Sequence, residues 1–126
     1  MDFNITVLGS GSSGNSVLIS RGNNGVLIDA GFSRKEILSR LNTSGISADV
    51  IKAILITHEH TDHVKGARVL ADYLDIPTYA TYDTAQYLMD KNCIGKKRVI
   101  FDAGSPFNLI DFDIQPFRIS HDAIDP

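Results

Sequence analysis

The spacing of hydrophobic and polar positions in the first thirty residues predicts three short strands. Residues 3–8, 16–20 and 26–29 are rich in aliphatic and β-branched side chains, which is typical of strands that bury at least one face. Residues 21–25 separate the second strand from the third, and their glycines and asparagines tolerate the backbone of a tight turn. We therefore expect the second and third strands to form a hairpin.

The hydrophobic spacing then changes to that of a helix. Ser33 can cap the amino end of this helix, and Glu36, three residues later, completes a capping box. The apolar face of the helix consists of Ile37, Leu38 and Leu41. Residues 42–45 contain the polar and glycine positions that end a helix. This segment is the first helix of the predicted fold.

The remaining chain alternates between strand and helix patterns. The predicted helices are 64–74 and 84–91, the latter capped by Asp83. The predicted strands are 51–56, 78–81, 97–101, 107–110 and 112–119. Strands followed by strand–helix units predict an α/β layered architecture. With no linker or repeat, we expect residues 1–126 to belong to one domain, whose second half the resemblance described below implies to be missing.

Composition narrows the class of protein. The chain has 126 residues, 43% hydrophobic and 21% charged, with a formal net charge of −3, so a globally basic nucleic-acid-binding surface is excluded while a local patch is not. The single cysteine, Cys93, cannot form an intramolecular disulfide. With no apparent signal peptide and no membrane-length apolar run, we expect a cytoplasmic protein without membrane contact.

A glycine motif after the first strand admits three interpretations. Gly9, Gly11 and Gly14 match the spacing of a dinucleotide-binding loop, and Asp29 follows 20 residues after Gly9. That function needs a helix at the third glycine, whereas residues 15–20 have a strand pattern. The loop is then either a tight connection between strands or a border of the active site that touches substrate.

Histidine and acid side chains cluster directly after the apolar strand 51–56. His58 and His60 are two residues apart, so in an extended segment their side chains point the same way. Asp62 and His63 follow as the chain turns into the next helix, where they can address a second point nearby. Imidazole and carboxylate are ligands of divalent metals such as zinc, with manganese or iron as alternatives. The spacing therefore favours two adjacent metal ions, and Glu59 alternates away from both.

Two distant residues complete the predicted site. His121 follows a strand and is the candidate third protein ligand for the ion held by His58 and His60. Asp29 closes an early strand, where it either caps the following turn or contacts a ligand histidine from behind. The residues alone leave both roles of Asp29 open.

The motifs of the chain resemble those of a known superfamily. His58-x-His60-x-Asp62-His63 after an apolar strand is similar to the signature of the metallo-β-lactamase fold superfamily. Residues 9–16, 27–31, 56–63 and 120–123 resemble, more narrowly, the YycJ/WalJ (VicX) group. This resemblance implies an αββα sandwich with a dinuclear metal centre at one edge.

The resemblance also implies roles for the site residues. His58, His60 and His121 would hold the first metal, Asp62 and His63 the second, and Asp29 would support the site. A metal-bound hydroxide would attack a phosphodiester or ester, and Asp62 would orient it or take a proton. For the YycJ-like group the implied activity is that of a DNA 5′-to-3′ exonuclease.

The sequence lacks later parts of the superfamily pattern. The bridging aspartate, the final histidine and the second half of the sandwich are not in this sequence. We therefore expect the N-terminal half of a longer protein, with a sheet face open to association with a second copy. One alternative is a metal-binding or interaction fragment without catalysis. Another is an ester, thioester or lactam hydrolase of the same fold, which differs only in substrate.

Overall fold

A six-stranded sheet forms the centre of the structure, a computed structural model that describes residues 3–116. Its strands lie in chain order: β1 (Asn4–Gly9), β2 (Ser16–Arg21), β3 (Asn24–Ile28), β4 (Ile51–Leu55), β5 (Thr78–Thr81) and β6 (Arg98–Phe101). The helices are α1 (Arg34–Thr43), α2 (Thr61–Val64), α3 (Ala67–Leu74) and α4 (Tyr82–Asp90). A separate two-stranded sheet joins β7 (Phe107–Leu109) to β8 (Phe112–Ile114). The predicted α/β class is confirmed.

The first half of the sheet is antiparallel and the second half is parallel. β1 pairs with β2 and β2 with β3 in antiparallel fashion, which confirms the predicted hairpin. Gly22 has a φ of 61° in the connecting turn, where glycine has no steric cost. β3, β4, β5 and β6 then pair in parallel. The carboxyl ends of β3, β4 and β5 consequently meet at one edge of the sheet.

Each face of the sheet has its own apolar cluster. The helices pack over one face, in a core that includes Leu18, Leu27, Ile37, Ile54 and Leu70. On the other face Val26, Ala53, Leu55 and Leu109 are buried beneath the β7–β8 hairpin. The strand register places the side chains of Ile5 and Val7, on β1, on this same face of the sheet. They are nevertheless 63% and 60% exposed. The second face is therefore only partly covered by residues 3–116.

The predicted helix 64–74 begins only at Ala67, and Val64 is the last residue of a separate short helix, which corrects the sequence interpretation. α2 ends at Val64 and α3 begins at Ala67. Between them the amide of Gly66 donates to the carbonyl of Ala30, and a Cβ at Gly66 would overlap the carbonyl oxygen of Phe32. The break is a close approach between distant segments, which helical periodicity does not register.

Two further boundaries differ from the prediction. α4 begins at Tyr82, with Thr81 in the capping position, so Asp83 lies within the first turn instead of capping it. β8 ends at Ile114, so residues 115 and 116 of the predicted strand 112–119 are not in a strand, and residues 117–119 lie outside those that the structure describes. His121 lies outside them as well. None of the helices between residues 3 and 116 is both long and apolar enough to span a membrane.

Candidate metal centre

Asp29 occupies the centre of the sheet edge where the histidine cluster lies. It directly follows β3 with a φ of 62° and is 4% exposed. Its amide donates to the carbonyl of Leu55 at 2.8 Å, and its own carbonyl accepts from Ser16 Oγ at 2.8 Å. Aspartate is among the few residues that adopt this left-handed backbone at modest cost. The neighbouring strands thus fix the backbone from which the carboxylate projects.

The carboxylate of Asp29 binds groups from the segment that follows β4. Oδ1 accepts the amide of Thr57 at 2.7 Å, and Oδ2 lies 2.6 Å from Thr57 Oγ1. Oδ2 also lies 2.6 Å from Nδ1 of His63. Of the two roles left open by the sequence, the structure shows the contact with a candidate ligand histidine.

These contacts determine which ring nitrogens carry a proton. An ionised carboxylate only accepts hydrogen bonds, so Nδ1 of His63 donates to Asp29. The hydroxyl of Thr57 likewise donates to Asp29, so its oxygen is the acceptor for Nδ1 of His58 at 3.0 Å. In its neutral form each of these imidazoles therefore carries its proton on Nδ1 and its lone pair on Nε2. A carboxylate behind a histidine is the usual support for a metal ligand of this type.

The structure brings the three described histidines together. The ring centroids of His58 and His60 are 5.0 Å apart at 87°, and those of His58 and His63 are 3.7 Å apart at 46°. His60 has an extended backbone and occupies the position before α2. Glu59, between the first two histidines, is buried at 9% exposure. The sequence-predicted run is thus one compact cluster in space.

Asn15 positions the carboxylate of Asp62. Its side-chain amide donates to Asp62 Oδ2 at 3.0 Å and to the carbonyl of Gly11 at 2.9 Å. The Asn15 backbone amide also donates to the carbonyl of Asp62 at 2.7 Å. The Gly9–Asn15 loop is therefore attached to the site, as one of the three interpretations of the glycine motif required. Since β2 follows this loop, there is no helix at the third glycine to support a dinucleotide.

The second predicted ligand pair has a spacing that suits a metal ion. Nε2 of His63 lies 3.7 Å from Oδ2 of Asp62. Two atoms that bind one Zn²⁺ at about 2.0–2.2 Å with tetrahedral angles lie about 3.3–3.6 Å apart. Within residues 3–116, no group of three or more His, Cys, Asp or Glu side chains is arranged to hold one ion. Each predicted metal thus has two candidate protein ligands in the part of the chain that the structure describes.

The electrostatic environment favours the charged form of His63. Burial acts to lower the pKa of His63, but the hydrogen bond to Asp29 and the negative charges of Asp29 and Asp62 outweigh it, so the pKa lies above its ordinary value. A proton therefore competes with a metal ion for this imidazole more strongly than for an isolated one.

Thr57 and Asn15 are functional candidates that the sequence interpretation missed. Thr57 could have been found from the parallel pairing of Ile28 with Leu55, because that register places the residues after β3 beside those after β4. Asn15 gave no comparable signal, since its partner Asp62 is 47 residues away across a loop. His121 remains a predicted ligand outside residues 3–116.

The chain is similar in sequence to proteins of one family. Residues 9–92 match the Metallo-beta-lactamase superfamily. The chain is 39% identical over 128 residues to "Exodeoxyribonuclease WalJ" of Streptococcus pneumoniae serotype 2 (strain D39 / NCTC 7466), covering 98% of the chain and 48% of that protein. It is 34% identical over 129 residues to "Exodeoxyribonuclease YycJ" of Bacillus anthracis, covering 100% of the chain and 48% of that protein. The chain thus spans about half the length of these relatives.

A solved structure shows the same fold. "Rm3 metallo-beta-lactamase" superposes with a TM-score of 0.72 at 23% identity, covering 87% of this chain and 46% of that one. At this identity the likeness concerns the fold alone. The predicted resemblance in fold and in relatives is confirmed.

Proposed function

Since the chain belongs to the metallo-beta-lactamase superfamily, we propose that it supplies metal ligands to a metal-dependent phosphodiesterase that acts on DNA as an exonuclease. The observation that supports this most directly is the Asp29 network. It holds Nδ1 of His63 directly and Nδ1 of His58 through Thr57, while Nε2 of His63 lies 3.7 Å from the Asp62 carboxylate. The curated relatives WalJ and YycJ are exodeoxyribonucleases. Because the chain spans about half of each, activity, substrate and metal content are proposals here.

The ligand assignment follows the two pairs in the structure. His58 and His60 would hold one divalent ion together with His121, and Asp62 and His63 would hold a second. The donor set is rich in imidazole, which favours zinc, while manganese and iron are the alternatives. When bound, such ions act as Lewis acids and lower the pKa of water.

The residues of the chain itself would position the reactants. Asp29 and Thr57 keep the lone pairs of His58 and His63 on Nε2 by holding Nδ1 in hydrogen bonds. Asp62, which is 34% exposed and held by Asn15, would orient the attacking water or accept its proton. The cleft beside Asp62 contains Ser12 and Ser13, whose hydroxyls can donate hydrogen bonds to a phosphate. We also infer a cytoplasmic location, because the substrate is DNA and Cys93 is a free thiol.

The decisive experiment combines metal analysis with a substrate panel. The protein as its gene encodes it would be purified and its bound metal measured. It would then be assayed on 5′- and 3′-labelled DNA, RNA, a nitrophenyl ester and a β-lactam. We expect about two divalent ions per chain and stepwise shortening of DNA from one end. Hydrolysis of the ester or lactam alone would contradict the nuclease proposal, and metal binding without any hydrolysis would support the non-catalytic alternative.

A matched variant pair ties the activity to the site. His60→Ala should abolish hydrolysis and release metal, because it removes one of the three proposed protein ligands of the first ion. Asp49→Asn changes an exposed side chain elsewhere, and its activity should equal that of the wild type. If His60→Ala retained full activity and metal, the assigned centre would be wrong.

A further inference from the structure

A row of cationic side chains extends from the candidate metal centre across the protein surface. Lys65 follows α2, directly after the histidine cluster, while Arg34 and Lys35 begin α1. These three residues are near one another in space although the net charge of the chain is −3. A local concentration of positive charge on an acidic protein requires its own explanation.

Two clefts lie on either side of Lys65. The inner cleft, of about 500 Å³, contains Asp62, Thr61, Ser12 and Ser13 beside Lys65. The outer cleft, of about 360 Å³, contains Arg34, Lys35 and Val69 beside the same lysine. Because Lys65 lines both, the two clefts are adjacent, and together they lead from the candidate metal ligand Asp62 to α1 and α3; we call the two clefts together the groove.

The cations of this groove are available to a ligand. No ion pair within residues 3–116 neutralises Lys65, Lys35 or Arg34. This contrasts with Arg40, which binds Glu36 at 3.1 Å and the carbonyl of Leu8 at 2.6 Å, and is therefore a structural cation. An unneutralised row of cations attracts a polyanion, and phosphates release counterions when they bind to it.

An exposed aromatic ring lies at the far end of the groove. Tyr73 is one helical turn beyond Val69 on α3 and is 59% exposed. The guanidinium of Arg34 lies 4.6 Å from the centre of its ring. A cationic groove next to an aromatic platform is the combination that binds single-stranded nucleic acid, since the backbone follows the charges and a base stacks on the ring.

We propose that this groove binds one strand of a nucleic acid and guides it into the metal centre. Lys65 and Lys35 contact successive phosphates, Ser12 and Ser13 donate to the phosphate nearest Asp62, and Tyr73 stacks on a base. The recognised chemistry is a single-stranded phosphodiester chain. The proposal rests on the proposed function for its direction toward Asp62, while strand binding itself does not require hydrolysis.

The test measures binding in the absence of catalysis. Fluorescence anisotropy of labelled single-stranded DNA, single-stranded RNA and duplex DNA would be recorded with a chelator present over a range of salt concentrations. The double variant Lys65→Ala/Lys35→Ala should weaken single-strand binding at least about tenfold, and reduce the slope of log K against log salt by about 0.7 for each phosphate contact removed. Equal affinity for DNA and RNA would mean that the groove recognises the phosphates alone. A preference for DNA would mean that it also recognises the sugar. Both outcomes support the groove.

Matched controls separate the groove from charge in general. Lys52→Ala/Lys91→Ala removes the same charge from exposed positions on β4 and after α4, and should bind within about twofold of the wild type. Tyr73→Ala should weaken binding at least about fivefold, whereas Tyr87→Ala, on α4, should not. Unchanged binding in the Lys65/Lys35 variant, or tighter binding of duplex than of single strand, would overturn the proposal. If the groove variants behave as expected but the metal-loaded protein cleaves no phosphodiester, the proposed function fails and the groove stands.

Discussion

Oδ2 of Asp29 lies 2.6 Å from Nδ1 of His63 and 2.6 Å from Oγ1 of Thr57, so one buried oxygen supports two candidate metal ligands. One support is direct, and the other passes through the threonine hydroxyl to His58. Asp29 can do this because it leaves β3 with a left-handed backbone, at the edge where β3 and β4 end together. The sheet therefore fixes the position of Asp29, and Asp29 orients the two histidines.

Replacing Asp29 by asparagine should lower the pKa of His63. The hydrogen bond and the charge of Asp29 are the two largest causes that raise the pKa of this imidazole against the effect of burial, and Asp29→Asn removes the charge and weakens the bond. NMR titration of the His63 Cε1 proton in chelator-treated protein measures the change. Asp49→Asn, with the same change of charge on an exposed side chain, is the control. An unaltered pKa of His63 in Asp29→Asn would refute the assigned cause.

The interaction between Asp29 and His63 should make the free energy of unfolding of the metal-free protein depend on pH. Because folding raises the pKa of His63, its contribution to stability is complete below the unfolded value of about 6.5 and is lost as pH rises through the higher folded pKa. The free energy of unfolding of the wild type, relative to Asp29→Asn, should therefore be larger near about pH 6 than near about pH 9. Urea denaturation at the two pH values tests this, and a difference of the opposite sign would contradict it.

The hydroxyl of Thr57 should be needed for metal affinity but not for folding. Thr57→Val keeps the side-chain shape and the hydrogen bond from the backbone amide to Asp29 Oδ1. It removes the hydroxyl oxygen that accepts from Nδ1 of His58. Loss of such a supporting contact typically lowers metal affinity about 10–100-fold. Competition with a zinc chelator measures the loss, and Thr57→Ser, which retains the hydroxyl, should preserve affinity. Equal zinc affinity in the valine and wild-type proteins would show that the relay is unimportant.

The sequence predicted the parts of the site that local pattern encodes. The run from His58 to His63 follows a strand by simple periodicity, and Asp29 follows another. The left-handed backbone of Asp29 was not predictable, because it depends on hydrogen bonds to Leu55 and Ser16 from other strands. The link between Asn15 and Asp62 joins a loop to a helix across 47 residues. Only tertiary structure brings these groups together.

The fold shows the same division between local and distant causes. The β2–β3 hairpin follows from alternation and turn residues, and it was predicted correctly. The break between α2 and α3 was missed, because Val64, Ala67, Leu70 and Ala71 keep helical spacing across it. Its cause is the contact of Gly66 with Phe32 from the β3–α1 connection, which no spacing rule contains.

Gly31 should be intolerant of any side chain. A Cβ there would overlap the carbonyl oxygen of Asp62 and contact the amide of Asn15, and both are backbone atoms that cannot rotate away. Gly31→Ala should destabilise the protein by about 1–3 kcal/mol or more, and displace Asp62 from the histidines. Gly104→Ala is the matched control, because the nearest atom to its Cβ would be 3.8 Å away. Thermal denaturation compares the two, and similar melting temperatures would disprove this close-approach account.

Introducing a charge at Asn15, which hydrogen-bonds to Asp62, should lower the free energy of unfolding far more than the same change in a similar exposed hydrogen bond. Asn15 Nδ2 donates to Asp62 Oδ2 at 3.0 Å in a half-buried setting, and Asn108 Nδ2 donates to Asp113 Oδ1 at 3.0 Å in an exposed one. Replacing either asparagine by aspartate exchanges a hydrogen bond for two facing carboxylates. In the half-buried pair solvent screens the repulsion poorly, so we expect Asn15→Asp to cost about 1–3 kcal/mol.

Asn108→Asp should cost under about 0.5 kcal/mol, because water screens exposed charges. The penalty of Asn15→Asp should also shrink as pH falls toward about 4, since the mutual repulsion raises the pKa of the carboxylate pair and one member then takes up a proton. Urea denaturation of both variants in chelator-treated protein, near neutral pH and near about pH 4, measures these differences. Equal costs for the two substitutions would show that Asn15 does not hold Asp62 in place for the metal centre.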